Sequence, residues 1–245
     1  MKGLAGKTVL VTGGGGAIGT AICRRFAEEG AKLLVADRVR ESAERVAQEC
    51  KGRALVFDIA DYAAAKAAVG AQTVDVLVNN AGWDRFQNFV DSKPEEWSQL
   101  IDINLRGPLN MHHLLLPQML ARGSGRIVNI SSDAARVGSS GEAVYAACKG
   151  GVISFSKTLA REVARKGITV NVVCPGPTDT PILRAFLGEG EGGQKVYDAL
   201  VRAIPMKRVG QPDDIPGIVA FLASDEAGFI TGQVISVSGG LTMAG

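Results

Sequence analysis

A tyrosine and a lysine four positions apart are the residues of this sequence best suited to acid–base chemistry. Tyr145 and Lys149 lie near the start of a stretch, about 143 to 164, whose apolar spacing predicts a long helix. Residues at i and i+4 share a helix face, so the ammonium group can lie near the phenol, stabilise the phenolate and lower its pKa. We therefore expect Tyr145 to exchange a proton with an alcohol or ketone while a hydride moves. The alternative is an ordinary pair of helix residues.

A glycine-rich segment offers a place for the hydride carrier. Residues 12–19 read TGGGGAIG and stand between a short apolar run, residues 8–11, and a helical pattern that begins at Ala17. Glycines let the backbone approach a pyrophosphate, and a helix N-terminus presents free N–H groups to it. Flexible turns can have the same composition, but the position after the first strand favours a dinucleotide site.

An acidic residue at the end of the second apolar run indicates which dinucleotide is bound. Asp37 follows Gly19 by 18 residues, and a carboxylate there accepts the ribose hydroxyls of NAD and repels the 2′-phosphate of NADP. The neighbouring Arg38 is a candidate to hold that phosphate, but residues 14–16 supply no cation to help it. We therefore predict NAD; the alternative is that Asp37 simply caps the following helix.

Short apolar runs alternate with amphipathic segments along the chain, which predicts a parallel sheet covered by helices on both faces. We predict an α/β fold: one Rossmann-type, doubly wound domain over residues 1–245 with about seven strands, because no segment resembles a linker. In such a sheet the site lies beyond the carboxyl ends of the strands, so the glycine-rich turn, Asp37 and Ser132 should share one crevice. The longer predicted helices cover about 17–29, 41–50, 104–121, 143–164 and 213–223.

The segment from Thr180 to Arg208 departs from this pattern. Its centre, residues 188–193 (GEGEGG), is too rich in glycine to form a stable helix, although helical stretches flank it. A mobile segment of this length within a compact domain is more often a lid than a plain connection. We predict a mobile substrate lid over about 180–208, with a disordered surface loop as the alternative.

The composition narrows the class of partner. The 245 residues are 46% hydrophobic and carry a net charge of +2 without a long basic run, so we expect neither disorder nor a nucleic-acid partner. The N-terminus lacks a signal peptide's apolar centre and no stretch could span a bilayer, which predicts a cytoplasmic protein. The four cysteines form no C-x-x-C motif and should be buried thiols. His112 and His113 point about 100° apart on a helix, so no metal site is expected.

Together these motifs resemble the short-chain dehydrogenase/reductase family over essentially the whole chain. Residues 12–19 are similar to its dinucleotide turn, residues 79–82 (NNAG) to its strand-four motif, and Asn171 with residues 175–180 (PGPTDT) to its nicotinamide-side motif. One departure is Ala17, where many members have glycine; a methyl group there should be tolerated. The residues that match the catalytic tetrad of the family are Asn104, Ser132, Tyr145 and Lys149.

The resemblance implies a role for each member of the tetrad. Tyr145 is the general acid and base, Lys149 lowers its pKa and holds the nicotinamide ribose, and Ser132 polarises the substrate oxygen. Asn104 holds a water that relays protons from Lys149. Ser131 competes with Ser132, but the 13-residue spacing to Tyr145 favours Ser132.

The resemblance also implies the residues that bind NAD. Asp58 and Ile59 would flank the adenine, Asn80 would lie by the ribose, and Thr178 and Thr180 would meet the nicotinamide carboxamide and the pyrophosphate. Family members usually pair through the helices that begin near 104 and 143, which implies a homotetramer. The full cofactor set would be Gly13, Gly16, Ala17, Ile18, Gly19, Asp37, Arg38, Asp58, Ile59, Asn80, Ala81, Gly82, Tyr145, Lys149, Pro175, Gly176, Thr178 and Thr180.

The identity of the alcohol is harder to read. Residues 79–84, 132–149, 172–180 and 228–243 are similar to a branch of the family, the 2-hydroxycyclohexanecarboxyl-CoA dehydrogenases, which implies a β-hydroxyacyl-CoA substrate. Alternatives are a 3-oxoacyl-carrier-protein reductase, which usually prefers NADPH, and a dehydrogenase of another small secondary alcohol. A non-catalytic NAD-binding regulator is a third class, but it would not need the tetrad.

Several further residues are candidates to contact the substrate. Trp83 and Phe86 could form an apolar wall beside the nicotinamide or belong to the core. Polar residues between Ser132 and Tyr145 could read a substituent: Arg136, Ser139, Ser140 and Glu142. Basic residues in or near the predicted lid could meet the phosphates of CoA or form a solvated face: Arg184, Lys195, Arg202, Lys207 and Arg208.

Overall fold

A parallel β-sheet forms the centre of the molecule. The computed structural model describes residues 1–188 and 190–243, and in this part of the chain the sheet has seven strands in the order β3-β2-β1-β4-β5-β6-β7, all pairs parallel. The predicted doubly wound α/β fold is therefore confirmed. The strands are β1 (Thr8–Thr12), β2 (Lys32–Asp37), β3 (Arg53–Val56), β4 (Val76–Asn79), β5 (Gly125–Ile130), β6 (Ile168–Pro175) and β7 (Val234–Val237).

Helices cover both faces of the sheet. On one face, α1 and α10 pack through residues such as Phe26 and Val219; on the other, α5 and α7 pack through Met111 and Leu159. Because both faces are covered, the strands consist mainly of apolar residues, and all eight residues of β6 are buried. The helices are α1 (Ala17–Glu28), α2 (Arg40–Glu49), α3 (Tyr62–Val69), α4 (Pro94–Ile101), α5 (Gly107–Arg122), α6 (Ala134–Val137), α7 (Ala143–Val163), α8 (Pro181–Leu187), α9 (Glu191–Ala203) and α10 (Pro216–Ala223).

Two predicted helices begin differently from expectation. The helix expected from about 104 starts with a π-helical turn, Asp102–Arg106, which joins α4 to α5. The helix expected from about 213 starts with a 3₁₀ turn, Pro212–Asp214, and becomes α-helical only at Pro216. Proline favours the first turn of a helix, because its missing N–H would have no partner there.

The glycine-rich segment also differs from the prediction. Helix α9 begins at Glu191, so Gly192 and Gly193 form its first turn although residues 188–193 were expected to exclude a helix. The glycine penalty applies to a few residues only, whereas Val196 and Leu200 give the remaining helix an apolar face that lines a cavity. Residue 189 lies outside the described residues, and mobility of the segment stays a prediction.

The cysteines agree with expectation. Cys23, Cys50, Cys148 and Cys174 are all buried and unpaired, and burial raises the pKa of the Cys174 thiol to about 11. No helix within residues 1–188 and 190–243 is both long and apolar enough to cross a membrane.

Candidate active site

A cavity of about 800 Å³ opens at the carboxyl ends of the strands. Its size is in the range of small-molecule and cofactor sites. Almost every residue predicted for the site lines it; Asn104 does not. The predicted residues in the lining are Gly13, Gly16, Ala17, Ile18, Gly19, Asp37, Arg38, Asp58, Ile59, Asn80, Ala81, Gly82, Ser132, Tyr145, Lys149, Pro175, Gly176, Thr178 and Thr180.

The β1–α1 turn is packed too tightly for side chains. A Cβ on Gly19 would stand 2.8 Å from Gly14 Cα, 2.9 Å from Asn80 Nδ2, and closer still to the Gly13 carbonyl oxygen. The turn leads into α1, whose N-cap is Gly16 and whose first turn holds no acidic residue. This arrangement leaves the positive end of the helix open to the cavity, as a pyrophosphate requires.

Side chains from β1 and β4 hold this turn in place. The Asn80 amide donates to the carbonyl oxygens of Thr12 (3.1 Å) and Gly13 (3.0 Å). The Thr12 hydroxyl in turn accepts from the backbone N–H groups of Asn80 (3.0 Å) and Ala81 (3.2 Å). Asn80 therefore lies at the cavity as predicted, but its amide hydrogens are used to shape the turn.

The Asp37 carboxylate stands at the end of β2 beside this turn. Its Oδ2 accepts from Gly15 N (3.0 Å) and its Oδ1 from Val39 N (3.0 Å). The second contact fixes the backbone before α2 but does not cap that helix, whose N-cap Val39 receives no side-chain hydrogen bond; the first fixes the carboxylate against the glycine-rich turn. Arg38 also lines the cavity and is exposed. Asp37 and Arg38, the two residues predicted to face the ribose, therefore both line the cavity.

The other predicted cofactor positions lie at the ends of β3 and β6. The Asp58 carboxylate accepts from Ala60 N (2.8 Å), which fixes the loop beside Ile59. The Thr178 hydroxyl donates to Gly176 O (2.9 Å), and the Thr180 hydroxyl accepts from Leu183 N (3.3 Å) as the N-cap of α8. These backbone contacts shape the cavity wall on which the threonines stand.

Tyr145 and Ser132 meet inside the cavity. Both side chains line the cavity, and the neighbouring Ser132 hydroxyl favours the phenolate, which lowers the pKa of Tyr145. The competing Ser131 is buried, and its hydroxyl donates to Lys149 O at 2.9 Å, which is a structural contact. Because the Ser131 hydroxyl donates to a backbone oxygen and the Ser132 hydroxyl lies beside Tyr145, the geometry favours Ser132.

Lys149 is buried one helical turn from Tyr145. Its Nζ lies 5.7 Å from the centre of the tyrosine ring and donates to Ile130 O at 3.0 Å. Burial lowers the pKa of Lys149 to about 8, against the opposing effects of the Cys148 and Cys174 thiols and the Asp84 carboxyl. The predicted pair thus shares one helix face, but the ammonium is hydrogen-bonded to a backbone carbonyl.

The protonation of Tyr145 differs from the prediction. Burial raises the pKa of Tyr145, and the negative charges of Asp84 and Glu142 raise it further, while the Ser132 hydroxyl acts in the opposite direction. Lys149 was expected to lower this pKa, but it is not among the main influences here. Burial removes the phenolate from water, and this cost is the largest influence on the pKa of Tyr145.

Asn104 lies behind the cavity, in the π-helical turn. It is fully buried; Nδ2 donates to Trp83 O (2.7 Å) and Leu100 O (3.0 Å), and Oδ1 accepts from Trp83 N (3.2 Å). A Cβ on Gly82 would stand 3.2 Å from both Asn104 Oδ1 and Lys149 Nζ, so the three residues are neighbours. In this arrangement Asn104 fixes the backbone beside Gly82, and its proposed water relay stays a prediction.

Two carboxyl groups beside Tyr145 were not singled out from the sequence as a pair. Asp84 follows the NNAG turn, Glu142 immediately precedes α7, and both line the cavity. Burial raises the pKa of Asp84 to about 7, and the neighbouring Glu142 carboxyl raises it further. The sequence offered Glu142 among the polar loop residues that could read a substituent, whereas Asp84 had no signal beyond its place after the NNAG turn.

The substrate end of the cavity is largely apolar. Trp83 and Phe86 line it, and the Phe86 ring packs 4.0 Å from that of Phe186 on α8, measured between ring centres. Val196 and Leu200 of α9 extend the same wall. Trp83 and Phe86, which the sequence left open between a wall and the core, therefore line the cavity, and their place beside a nicotinamide stays a prediction. The contribution of α8 and α9 could not be read from local sequence.

The basic residues of the predicted lid do not face the cavity. Arg184 pairs with Asp179 (2.7 Å) and Arg208 with Asp214 (2.6 Å), both on the surface. None of the five candidates, Arg184, Lys195, Arg202, Lys207 and Arg208, lines the cavity. Of the polar loop residues, Ser139, Ser140 and Glu142 line it, whereas Arg136 donates to the Ser236 hydroxyl at 2.7 Å.

The two adjacent histidines, His112 and His113, form hydrogen bonds with different partners. His112 is buried and contacts Pro108 O through Nδ1 at 2.6 Å; burial lowers its pKa to about 4. His113 is hydrogen-bonded to the Tyr62 hydroxyl at 2.8 Å. Within the described ranges, no group of three or more histidine, cysteine or acidic residues could hold a metal ion.

Comparison with known proteins places this site in a family. A family described as enoyl-(acyl carrier protein) reductase matches residues 15–242. The acetoacetyl-CoA reductase of Shinella zoogloeoides is 41% identical, over 96% of this chain and 98% of its own length. The 3-oxoacyl-[acyl-carrier protein] reductase of Brucella melitensis, solved with NAD, is 34% identical with a TM-score of 0.90, over 98% of this chain and 92% of that one.

A second solved structure carries the other nicotinamide cofactor. The gluconate 5-dehydrogenase of Burkholderia cenocepacia, solved with NADP and tartrate, is 35% identical with a TM-score of 0.92, over 98% of this chain and 97% of that one. Fold and sequence agree along nearly the full length of these proteins. The chain therefore belongs to the short-chain dehydrogenase/reductase family of oxidoreductases, close to its 3-oxoacyl-carrier-protein and acetoacetyl-CoA reductases.

Proposed function

We propose that the protein interconverts a secondary alcohol and a ketone with NAD, and that its substrate is a β-hydroxyacyl thioester, most closely a β-hydroxyacyl-CoA such as 2-hydroxycyclohexanecarboxyl-CoA. The observation that supports the reaction type is that Tyr145, Ser132 and Lys149 line the same cavity as the glycine-rich turn, with Lys149 Nζ 5.7 Å from the centre of the Tyr145 ring. This placement is what proton exchange next to a bound dinucleotide would need.

These residues divide the work. When NAD is bound, its nicotinamide ring supplies the acceptor for the hydride. Ser132 would donate a hydrogen bond to the substrate oxygen, and Tyr145 Oη would take the hydroxyl proton on oxidation or return it on reduction. Lys149 would hold the nicotinamide ribose and offset the negative charge that develops on the phenol.

The choice of NAD is supported by Asp37. Its carboxylate is held by two backbone N–H groups beside the glycine-rich turn, where a 2′-phosphate would meet a fixed negative charge. Arg38 is the feature that favours NADP, and relatives occur with each cofactor. We propose NAD because the carboxylate is fixed by hydrogen bonds, whereas Arg38 is exposed.

The substrate class is supported by the relatives and by the apolar wall. Acyl thioesters are named as substrates in an acetoacetyl-CoA reductase and a 3-oxoacyl-[acyl-carrier protein] reductase, each more than 30% identical. Trp83, Phe86 and Leu200 give the substrate end an apolar surface suited to a hydrocarbon chain or ring. The second candidate is 3-oxoacyl-carrier-protein reduction, favoured by the same relatives.

We further propose a cytoplasmic homotetramer with a lid formed by α8 and α9. An apolar groove between the α4–α5 region and α7 supports self-association; it includes Ile101, Leu105 and Val144. The half-exposed side chains of Ile182 and Phe186 on α8 support a covering role.

The test is a substrate panel followed through NADH absorbance. It contains β-hydroxyacyl-CoA thioesters, including 2-hydroxycyclohexanecarboxyl-CoA, the same acyl groups on carrier protein, and simple secondary alcohols, each with NAD and NADP. We expect the highest kcat/KM with a CoA thioester and NAD. A preference for simple alcohols contradicts the substrate class, a preference for NADP contradicts the reading of Asp37, and binding of NADH without any turnover indicates a regulator.

A further inference from the structure

The reacting end of the cavity carries an acidic pair. Asp84 and Glu142 come from different segments, the turn after β4 and the residue before α7, and meet beside the Tyr145 phenol. Glu142 is the N-cap residue of α7, three residues before Tyr145. The pair therefore lies beside the phenol that is proposed to exchange the proton.

The contacts of Asp84 leave one oxygen without a donor. Oδ1 accepts from Arg85 N at 2.7 Å. Oδ2 is buried without a hydrogen-bond partner among the described residues, and the Glu142 carboxyl lies near Asp84. Two neighbouring carboxyl groups lose their protons in two steps, so the pair carries one negative charge after the first step and two after the second.

Little positive charge offsets this pair. In residues 1–188 and 190–243, no Lys or Arg forms an ion pair with Asp84 or Glu142; the nearby Arg85 pairs with Glu96 at 3.0 Å instead. The cations among the described cavity residues are Arg38, at the ribose end, and Lys149. Lys149 donates to Ile130 O and is buried, so its charge is only partly available.

A third carboxylate also lines the cavity. Asp133 is 4% exposed, and its Oδ1 accepts from the Ser236 hydroxyl, to which Arg136 also donates, whereas its Oδ2 is buried without a partner among the described residues. Asp84 and Glu142, and not Asp133, are the acidic groups whose charges act on the Tyr145 phenol.

We propose that Asp84 and Glu142 are specificity residues that exclude substrates with a free carboxylate near the reacting carbon and admit uncharged ones. A β-hydroxyacyl thioester or ester is uncharged where the corresponding β-hydroxy acid carries a negative charge. The inference deepens the proposed function and rests on it only for the reaction at Tyr145.

The expected discrimination is large enough to measure. At an effective dielectric constant near 20, one like charge about 5 Å away weakens binding about a hundredfold. Specificity of this kind comes from a repulsive group placed against the wrong substrate, and it needs no added attraction to the right one. Neutralising either carboxyl should therefore raise the use of the charged substrate relative to the neutral one.

The experiment compares two substrates that differ by one charge. Methyl 3-hydroxybutyrate and 3-hydroxybutyrate are assayed with NAD on the wild type, Glu142→Gln and Asp84→Asn, and the ratio of their kcat/KM values is recorded. Methyl butyrate and butyrate cannot react, so their binding is measured instead. The ratio of their dissociation constants on NADH-loaded protein, obtained from NADH fluorescence, reports the same discrimination without turnover. Glu162→Gln, an exposed change far along the same helix, is the matched control.

We expect the wild type to favour the ester about a hundredfold, each cavity variant to lower that preference about tenfold or more, and Glu162→Gln to leave it unchanged. An unchanged ratio in both cavity variants, or a wild type that prefers the carboxylate, overturns the proposal. Because no thioester is used, this experiment is independent of the thioester assignment. Either the assignment or this inference can fail while the other holds.

Discussion

The two ends of the cavity are built in different ways. At the cofactor end, backbone groups and buried hydrogen bonds set the shape, as in the Thr12–Asn80 contacts that hold the glycine-rich turn. At the substrate end, side chains from distant segments form the walls, as where Phe86 meets Phe186 and Asp84 meets Glu142. The first construction suits one constant ligand; the second can be altered one side chain at a time, which lets a family change substrate without changing cofactor chemistry.

The largest expected effect comes from breaking the cofactor end. Gly19→Val adds a side chain where a Cβ already stands 2.8 Å from Gly14 Cα. Such overpacking costs about 1–3 kcal/mol, so NADH affinity should fall about tenfold to hundredfold. Isothermal titration with NADH measures it, and Gly217→Ala, where the nearest atom is 3.9 Å away, is the control. Wild-type affinity in Gly19→Val would mean that the turn does not contact the dinucleotide.

The next effect sharpens the cofactor assignment. Asp37→Asn keeps the shape of the side chain but removes the charge beside the Gly15 amide. The ratio of kcat/KM with NAD to that with NADP should fall about tenfold, because the 2′-phosphate no longer meets a carboxylate. Glu41→Gln, in the first turn of the following helix, controls for a general change of charge. A ratio that does not move would assign the discrimination to another group.

A smaller effect is expected where the two ends meet. Gly82→Ala places a methyl group 3.2 Å from Lys149 Nζ and Asn104 Oδ1, which must shift by a few tenths of an ångström. A displacement of this size in a reacting group should lower kcat severalfold, about fivefold, with little change in the Kd of NADH. Gly150→Ala, on the same helix as Tyr145 with open space around it, should retain wild-type kcat. Equal kcat values in the two variants would contradict a catalytic role for this neighbourhood.

The smallest effect concerns the pH dependence at the substrate end. The charges of Asp84 and Glu142 raise the pKa of Tyr145, so removing one of them must lower it. Oxidation requires the phenolate, and its rate rises with pH through this pKa. In Glu142→Gln the rising limb of kcat/KM against pH should therefore move to lower pH, by about half a unit. A shift to higher pH, or the same shift in Glu162→Gln, would contradict this account.

The sequence predicted the cofactor end more completely than the substrate end. The glycine-rich turn, Asp37 and residues 175–180 are short local motifs at strand ends, and parallel topology alone brings strand ends together. The seven strands followed from continuous apolar runs, because both faces of the sheet are covered.

What the sequence did not predict depends on long-range packing. Phe186 and Leu200 reach the cavity only because α8 and α9 fold over it, and α9 starts inside a run of glycines that local propensity disfavours. Likewise, Lys149 shares a helix face with Tyr145 as predicted, but its expected effect on the phenol is outweighed by burial and by two acids from other segments. Such electrostatic balances arise from tertiary neighbours and cannot be read from spacing.

Proton exchange at Tyr145 is the central claim, and Tyr145→Phe tests it most directly, because it removes one oxygen and keeps the ring. The measurement pairs NADH formation from the best alcohol of the panel with equilibrium binding of NADH by fluorescence. We predict a loss of turnover of about a thousandfold with NADH affinity within a few-fold of wild type, as expected for loss of a general acid–base group. Turnover close to that of the wild type would contradict the account, because another group would then be exchanging the proton.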